Sequence, residues 1–252
     1  ERVIDFLERE CRWERGALYN RSTNRRVRAI LPVHLLGHPV DMKPILEVAR
    51  KYELIVIEDA AEGLGATYNG KKVGALADIA CLSFNGNKVV TAGGGGMLVT
   101  DSDDVAYEAK HLSTQAKDHP VEYIHNEIGY NYRLTNIQAA LGLAQMEQLE
   151  GFIDKKRNHA TTYAEGLSGL TSLSLMPESE GAFCTYWLYT VLLDAKLDSR
   201  QLISRLNSHG IQSRPLWMPI HRQRRYMDCT VYGGEVADKL YSTGIQLPSS
   251  VG

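Results

Sequence analysis

The sequence is poor in cysteine, lacks any long apolar run and carries almost no excess charge. Its four cysteines, Cys11, Cys81, Cys184 and Cys229, include no C-x-x-C pair. That excludes a disulfide framework, a zinc ribbon and a thiol–disulfide redox motif. No window approaches the ~20 uncharged apolar residues of a membrane span. The first ten residues alternate charged and apolar side chains and hold no signal-peptide core. The expectation is a soluble, cytoplasmic chain with no membrane partner. Lys plus Arg number 28 and Asp plus Glu 30, a net charge of −2, so general polyanion binding, and with it a nucleic-acid partner, is not expected. The P-loop pattern is absent. The glycines Gly93 to Gly96 open a strand-like run rather than a helix, which argues against a dinucleotide fingerprint. His34 and His38 imitate a zinc-helix spacing, but the Glu is missing and Gly37 and Pro39 break the helix. No metal site is expected.

What is present is ordinary globular material: 252 residues, 44% hydrophobic and 23% charged. At about 150 residues per domain this is one large domain or two unequal ones. The first half alternates strand and helix patterns. Val27–Val33 reads as a strand, Asp41 as the cap of a helix from Met42 to about Tyr52, and Leu54–Ile57 as a strand buried on both faces. Ile79–Phe84 and Met97–Thr100 follow as strands, with Asp103–His111 as a helix. Cys81 is expected as a buried structural thiol, and the Asn20-Arg-Ser22 sequon as chance. A helix begins after Thr135, with Ile137, Leu141 and Ala144 at helical spacing, and Gly151 reads as a break before a second helix from Phe152 to about Leu167. Residues 168–182 read as a lobe connection. Beyond them come a strand over Trp187–Leu193, a helix over Ser199–His209, a strand over Gln212–Trp217 and a short helix near Glu235–Tyr241. The expected division is a large α/β domain over 1–167, including its connecting helices, and a smaller α+β lobe over 168–252.

Ligands of open α/β sheets sit beyond the carboxyl ends of the strands. Two apolar runs end there in reactive groups, Asp59 after the first and Ser83 through Lys88 after the second. A lysine and an acid suit pyridoxal phosphate, which needs an amine for its aldehyde and a carboxylate for its ring nitrogen. On spacing alone, Asp59 reads equally as a helix cap and Lys88 as a solvated loop residue.

Three longer motifs occur in order: Val56-Ile-Glu-Asp-Ala-Ala-Glu-Gly-Leu-Gly-Ala66, then Leu82-Ser-Phe-Asn-Gly-Asn-Lys88 with the glycine stretch, then His125 through Ala140 around Gly-Tyr-Asn-Tyr-Arg. Together they resemble the DegT/StrS-type nucleotide-sugar aminotransferases, from about Arg28 to Pro248. The resemblance implies an α/β, fold-type-I, pyridoxal 5′-phosphate-dependent transferase with a mainly parallel sheet. It implies Lys88 as the lysine that binds the cofactor covalently, Asp59 as the partner of the ring nitrogen, Ala61 against the ring and Ser83 at the phosphate. Asn131 is implied at a phosphate in a partner subunit's site, hence a homodimer with shared sites. Glu62 stands where many relatives carry Gln, and a carboxylate cannot donate the amide's hydrogen bonds. Arg214, His221 and Arg222 resemble the segment near the substrate, where Arg suits a diphosphate.

The implied reaction is ping-pong transamination with glutamate as amino donor and a nucleotide-linked keto-sugar as acceptor. Thr114–Lys117 and Glu122–Tyr130 look most like the branch that aminates the fourth ring carbon of 4-keto-6-deoxy sugars, with UDP-linked 2-acetamido sugars first and a GDP-perosamine type second. A sugar 3-dehydratase on the same fold replaces the lysine with histidine, and Lys88 is present. A non-catalytic sensor on this fold is the rival from another class. The family's upstream Gly-(Ser/Thr)-x-Ala phosphate loop and stacking aromatic are not recognisable before Asp41, and relatives continue beyond Gly252, so the sequence reads as missing parts at both ends.

Overall fold

The apolar runs of the first half become neighbouring strands. Ala29–Ile30, Ile55–Asp59, Ile79–Ser83 and Gly96–Thr100 form one sheet in that order, in a computed structural model that describes residues 1–251. The first three strands are parallel, with Ala29 opposite Ile55 and Asp59 opposite Cys81. The fourth runs antiparallel and sets Ser83 opposite Gly96. The sheet belongs to a compact unit of Val27–Ile153 and Glu180–Thr185.

Side chains paired across strands share a face. Val56, Glu58 and Ala80 are buried on one side, whereas Ile55 is 48% and Leu98 41% exposed on the other. The strand after Tyr52 is therefore not buried on both faces, as its unbroken apolar run suggests. Cys81 lies on that open side and is exposed, which corrects its reading as a buried thiol. Period-2 alternation, not local hydrophobicity, decides which side chains are covered.

Helices Met42–Lys51, Asp103–Ser113 and Asn136–Met146 complete this unit. Asp41 precedes the first but does not cap it, because its Oδ1 accepts from the Tyr68 hydroxyl at 2.5 Å. Thr135 caps the third through a box shared with Gln138. The expected break at Gly151 falls earlier: the helix ends at Met146, and the next, Leu149–Leu167, carries Gly151 inside it. Val27–Val33 is interrupted, pairing through Ala29–Ile30 and a single bridge from Val33 to Asp59. Pro32 removes a ladder donor.

The second unit comprises Glu1–Arg26, Asp154–Ser179 and the residues from Tyr186 onward. This differs from the division at 167/168, since the first 26 residues and most of the Leu149–Leu167 helix fold with the C-terminal part. Its sheet is antiparallel, in the order Leu173–Leu175, Tyr189–Leu193, Gly244–Leu247, Arg214–Pro215. Tyr189, Val191, Leu193 and Ile245 pack with Ala160 and Ile203 in one core. The Gln212–Trp217 strand shrinks to Arg214–Pro215, again beside a proline. Strand Gly244–Leu247 follows helix Glu235–Thr243 directly and announces itself by no turn residue pattern.

Hairpin Cys11–Glu14/Ala17–Asn20 closes through Arg15 and Gly16, both at positive φ, the mark of a type I′ turn. Asn20 of the sequon is buried, and its Oδ1 accepts from the Ser22 hydroxyl at 2.8 Å and the Thr23 N–H at 2.8 Å. It serves the turn.

Candidate active site

A buried histidine–carboxylate scaffold lies behind the strand end that presents Asp59. Glu58 stands beside Asp59 at the end of an apolar run, and both it and His34 are fully buried. The Glu58 carboxylate accepts from His34 Nε2 at 3.0 Å, Gly74 N–H at 2.9 Å, Leu76 N–H at 2.8 Å and Ala77 N–H at 3.0 Å. His34 Nδ1 accepts from Val40 N–H at 3.1 Å. That bond places the ring proton on Nε2, facing the carboxylate. Burial alone pushes the Glu58 carboxyl up, but His34 and the loop N–H groups outweigh it and hold it below the ordinary carboxylate range. His34 is thus a core residue, not one that reaches a substrate.

The same scaffold fixes the turn above the strand end. His34 N–H donates to the Asp59 carbonyl at 3.0 Å and Asp59 N–H to the Pro32 carbonyl at 2.9 Å. Leu36 in that turn adopts φ 61°, a left-handed conformation that β- and γ-branched residues enter at a cost. Its N–H donates to Glu62 Oε2 at 2.7 Å. The other carboxylate oxygen of Glu62 faces Lys88 Nζ at 3.8 Å, with both side chains only 14% exposed. Burial pushes the Glu62 carboxyl up and Asp59 adds to this, while Leu36 N–H and Lys88 oppose it. Asp59 Oδ1 accepts from Ala61 N–H at 3.1 Å, which turns the chain just past the strand. Asp59, Ala61, Glu62 and Lys88 therefore gather at one edge of the sheet.

Ser83 ends the next strand. Its Oγ accepts from Asn85 N–H at 3.3 Å, leaving the hydroxyl proton to donate elsewhere. Lys88 N–H caps the following turn on the Asn85 carbonyl at 3.0 Å. Gly96, opposite Ser83, is required by close approach: a Cβ there would meet the Leu82 carbonyl oxygen at 2.4 Å. Gly96 also borders an open cavity of about 1020 Å³ between strand Gly96–Thr100, helix Asp103–Ser113 and the segment from Tyr130 to Leu134. Asn131 lines this cavity, is exposed, and bridges to Thr114. It stands apart from the Lys88–Glu62 pair.

Arg214, His221 and Arg222 belong to the second unit. Arg214 is exposed. His221 Nε2 and Arg222 Nε both reach Asp238 Oδ1, at 3.0 and 2.7 Å. Asp238 was not singled out from the sequence, nor were Glu58 and Leu36. The available signal for Glu58 was its period-2 position, on the same strand face as the buried Val56.

Lys88 thus faces the Glu62 carboxylate, and Asp59 and Ser83 end two neighbouring strands of the same sheet. The model of the DegT/DnrJ/EryC1/StrS aminotransferase family matches residues 16–252, and the chain belongs to that family. It is 41% identical over 230 residues to the GDP-perosamine synthase of Caulobacter vibrioides, covering 90% of this chain and 62% of that protein. It is 35% identical to the UDP-N-acetyl-3-dehydro-alpha-D-glucosamine 3-aminotransferase of Acidithiobacillus ferrooxidans, covering 88% and 59%. Among solved structures, Streptomyces venezuelae DesV in complex with a ketimine intermediate superposes with a TM-score of 0.81 at 30% identity, over 88% of this chain and 60% of that one. The chain thus spans about three fifths of the length of the relatives it matches.

Proposed function

We propose that the protein is a pyridoxal phosphate-dependent aminotransferase that converts a nucleotide-linked 4-keto-6-deoxy sugar into the 4-amino sugar, with glutamate as donor. The observation that carries this reading is Lys88 held at 3.8 Å from Glu62 at the sheet edge where Asp59 and Ser83 also end their strands. The residues present suit the cofactor. Lys88 offers the amine for its aldehyde, Asp59 a carboxylate oxygen for its ring nitrogen, Ser83 a hydroxyl donor for its phosphate, and Ala61 a side chain small enough to lie against its ring. When bound, the cofactor supplies an electron sink for the carbon that loses its proton. Lys88 would move that proton, taking it from the donor carbon and returning it to a carbon of the cofactor. Asp59 would accept from the ring nitrogen, and the turn that carries His34 holds the Asp59 backbone in place through the His34 N–H and the Pro32 carbonyl. Arg214 and Arg222 carry charge suited to the substrate diphosphate, with Asp238 orienting Arg222 and His221.

Two copies of the chain form the working unit in this reading, with Asn131 of one completing the other's site. Its support is the apolar surface around Asn131: Ile128 is 84%, Tyr132 75% and Ile137 84% exposed. Mixing Lys88→Ala with Asn131→Ala chains then restores activity, because one site in each mixed dimer carries neither lesion. No recovery after verified subunit exchange overturns the shared site.

The segments Thr114–Lys117 and Glu122–Tyr130 favour a UDP-linked 2-acetamido sugar as acceptor. A GDP-linked sugar is the second reading, favoured by GDP-perosamine synthases at 41% and 40% identity. The assay offers both 4-keto sugars, with glutamate, to the full-length enzyme and identifies the product by NMR. Turnover of the GDP sugar alone settles the carrier against the first reading. An amine at the third ring carbon overturns the choice of position.

A further inference from the structure

We propose that Glu62 is the counter-ion of Lys88 in the state in which the lysine carries the transferred proton, a role that rests on the reading of Lys88 given above. The transfer has two halves. Lys88 first uses its nitrogen lone pair to take a proton from the donor carbon, and the C–H electron pair stays with that carbon's conjugated system. The ammonium then returns the proton to the second carbon, and the amine is neutral again. Between the halves a positive charge sits on Nζ in a site withdrawn from water, where it needs an opposing charge.

Three features make Glu62 that charge. It is at ion-pairing distance from Nζ, it is as little exposed as the lysine, and its second oxygen is anchored by the left-handed Leu36 N–H. The anchor leaves Oε1 aimed at the amine and removes the freedom to swing away. The Gln common at this position in the family could accept the same Leu36 hydrogen bond, but it brings no charge. The groups acting on Glu62 are the Lys88 amine, the Asp59 carboxylate and the Leu36 N–H. Glu58 and His34, on the neighbouring strand and turn, are committed to each other and to the loop from Gly74 to Ala77. Burial pushes the Glu62 carboxyl up, and the Leu36 N–H and the Lys88 amine oppose that push by favouring the carboxylate.

The test reads the amine directly on the cofactor-free protein. Limiting acetic anhydride is applied from pH 6 to pH 10, and acetylation of each lysine is mapped by peptide mass spectrometry. In Glu62→Gln, acetylation of Lys88 should begin about one pH unit lower than in the wild type, because the charge that favours the ammonium is gone. The exposed Lys72 serves as internal control and should not move. Glu62→Asp keeps the charge and should stay within a few tenths of a unit of the wild type. In the loaded enzyme, Glu62→Gln should lower kcat about tenfold and leave KM for the donor nearly unchanged. Coincident Lys88 profiles in wild type and Glu62→Gln, or an equal shift in Glu62→Asp, overturn the proposal. Borohydride reduction distinguishes this from failure of the underlying reading: if the cofactor is fixed on a lysine other than Lys88, the aminotransferase site itself is misassigned.

Discussion

Lys88 and Lys156 are both withdrawn from solvent, and they are held in opposite ways. Lys88 faces a carboxylate at 3.8 Å, with an acid and a hydroxyl on the neighbouring strand ends. Lys156, in the helix Leu149–Leu167, is 6% exposed and donates to two backbone carbonyls, Trp187 at 2.9 Å and Ser249 at 2.8 Å. No carboxylate lies within ion-pairing distance of it among the described residues. Those carbonyls sit where strands Tyr189–Leu193 and Gly244–Leu247 have just ceased to pair, and Trp187 and Ser249 would be partners two residues beyond the last pair in that register. The amine bridges the two chains at the point where the ladder stops. A lysine that faces a carboxylate across 3.8 Å is placed to exchange a proton beside a counter-charge. A lysine pinned between carbonyls is equipped to fasten backbone.

The comparison breaks most sharply at Lys88. Lys88→Ala should lose transamination by about three orders of magnitude or more, because covalent attachment and proton transfer vanish together. The thermal midpoint should change little, since the side chain is partly solvated and fills no core. A variant with residual activity within tenfold of wild type would show that another group moves the proton.

Lys156→Ala should reverse that pattern. It leaves two carbonyls without their donor and opens space beside Tyr163 and Trp187, at a cost of about 2–4 kcal/mol. Denaturant titration and the thermal midpoint measure this, while kcat of the protein that remains folded should stay near wild type. Equal stability of the two proteins would mean that the amine fastens nothing.

Much of this division could be read in the sequence before any coordinates. Asp59, Ser83 and Lys88 stand out as candidates because runs such as Leu54–Ile57 and Ile79–Phe84 end abruptly in polar residues, and parallel sheets put ligands at such ends. The Thr135 cap, the helix Met42–Lys51 and the helix Ser199–Ser208 follow from capping residues and period. What stayed hidden depends on partners distant in the chain. Lys156 looks like any charge on a helix, Lys155-Lys156-Arg157, until Trp187 and Ser249 are seen to close over it. Glu62 takes its meaning from Leu36, twenty-six residues earlier, in a turn whose left-handed backbone no residue type announces. The exposure of Cys81 likewise turns on which face of the sheet is covered, and a run of apolar residues does not encode that.

The smallest expected effect is a slope of stability against pH that separates the two lysines. Burial lowers the Lys156 amine from 10.5 to about 8 in the folded chain. Below pH 8 the amine is protonated whether the chain is folded or not, so it gives no pH dependence there. Between pH 8 and 10.5 the unfolded chain holds more protons at this residue than the folded one, and stability therefore rises with pH. From pH 8 to 9.5 the gain is about 1.5 kcal/mol, before other groups are counted. Tyr163 and Tyr189 act the other way at higher pH, because burial raises their phenols and the unfolded chain sheds those protons first. The Cys11 and Cys81 thiols, raised by desolvation, also act the other way within this window, so the difference between wild type and a variant without the amine carries the Lys156 contribution. Urea titrations of wild type and Lys156→Met at pH 8, 8.75 and 9.5 isolate it: methionine keeps the apolar stem without the titrating amine, so the rise should be present in the wild type and absent in the variant. Parallel slopes in the two proteins would mean that the amine keeps an ordinary affinity for its proton in the fold, and the contrast between the lysines would then rest on hydrogen-bond geometry alone.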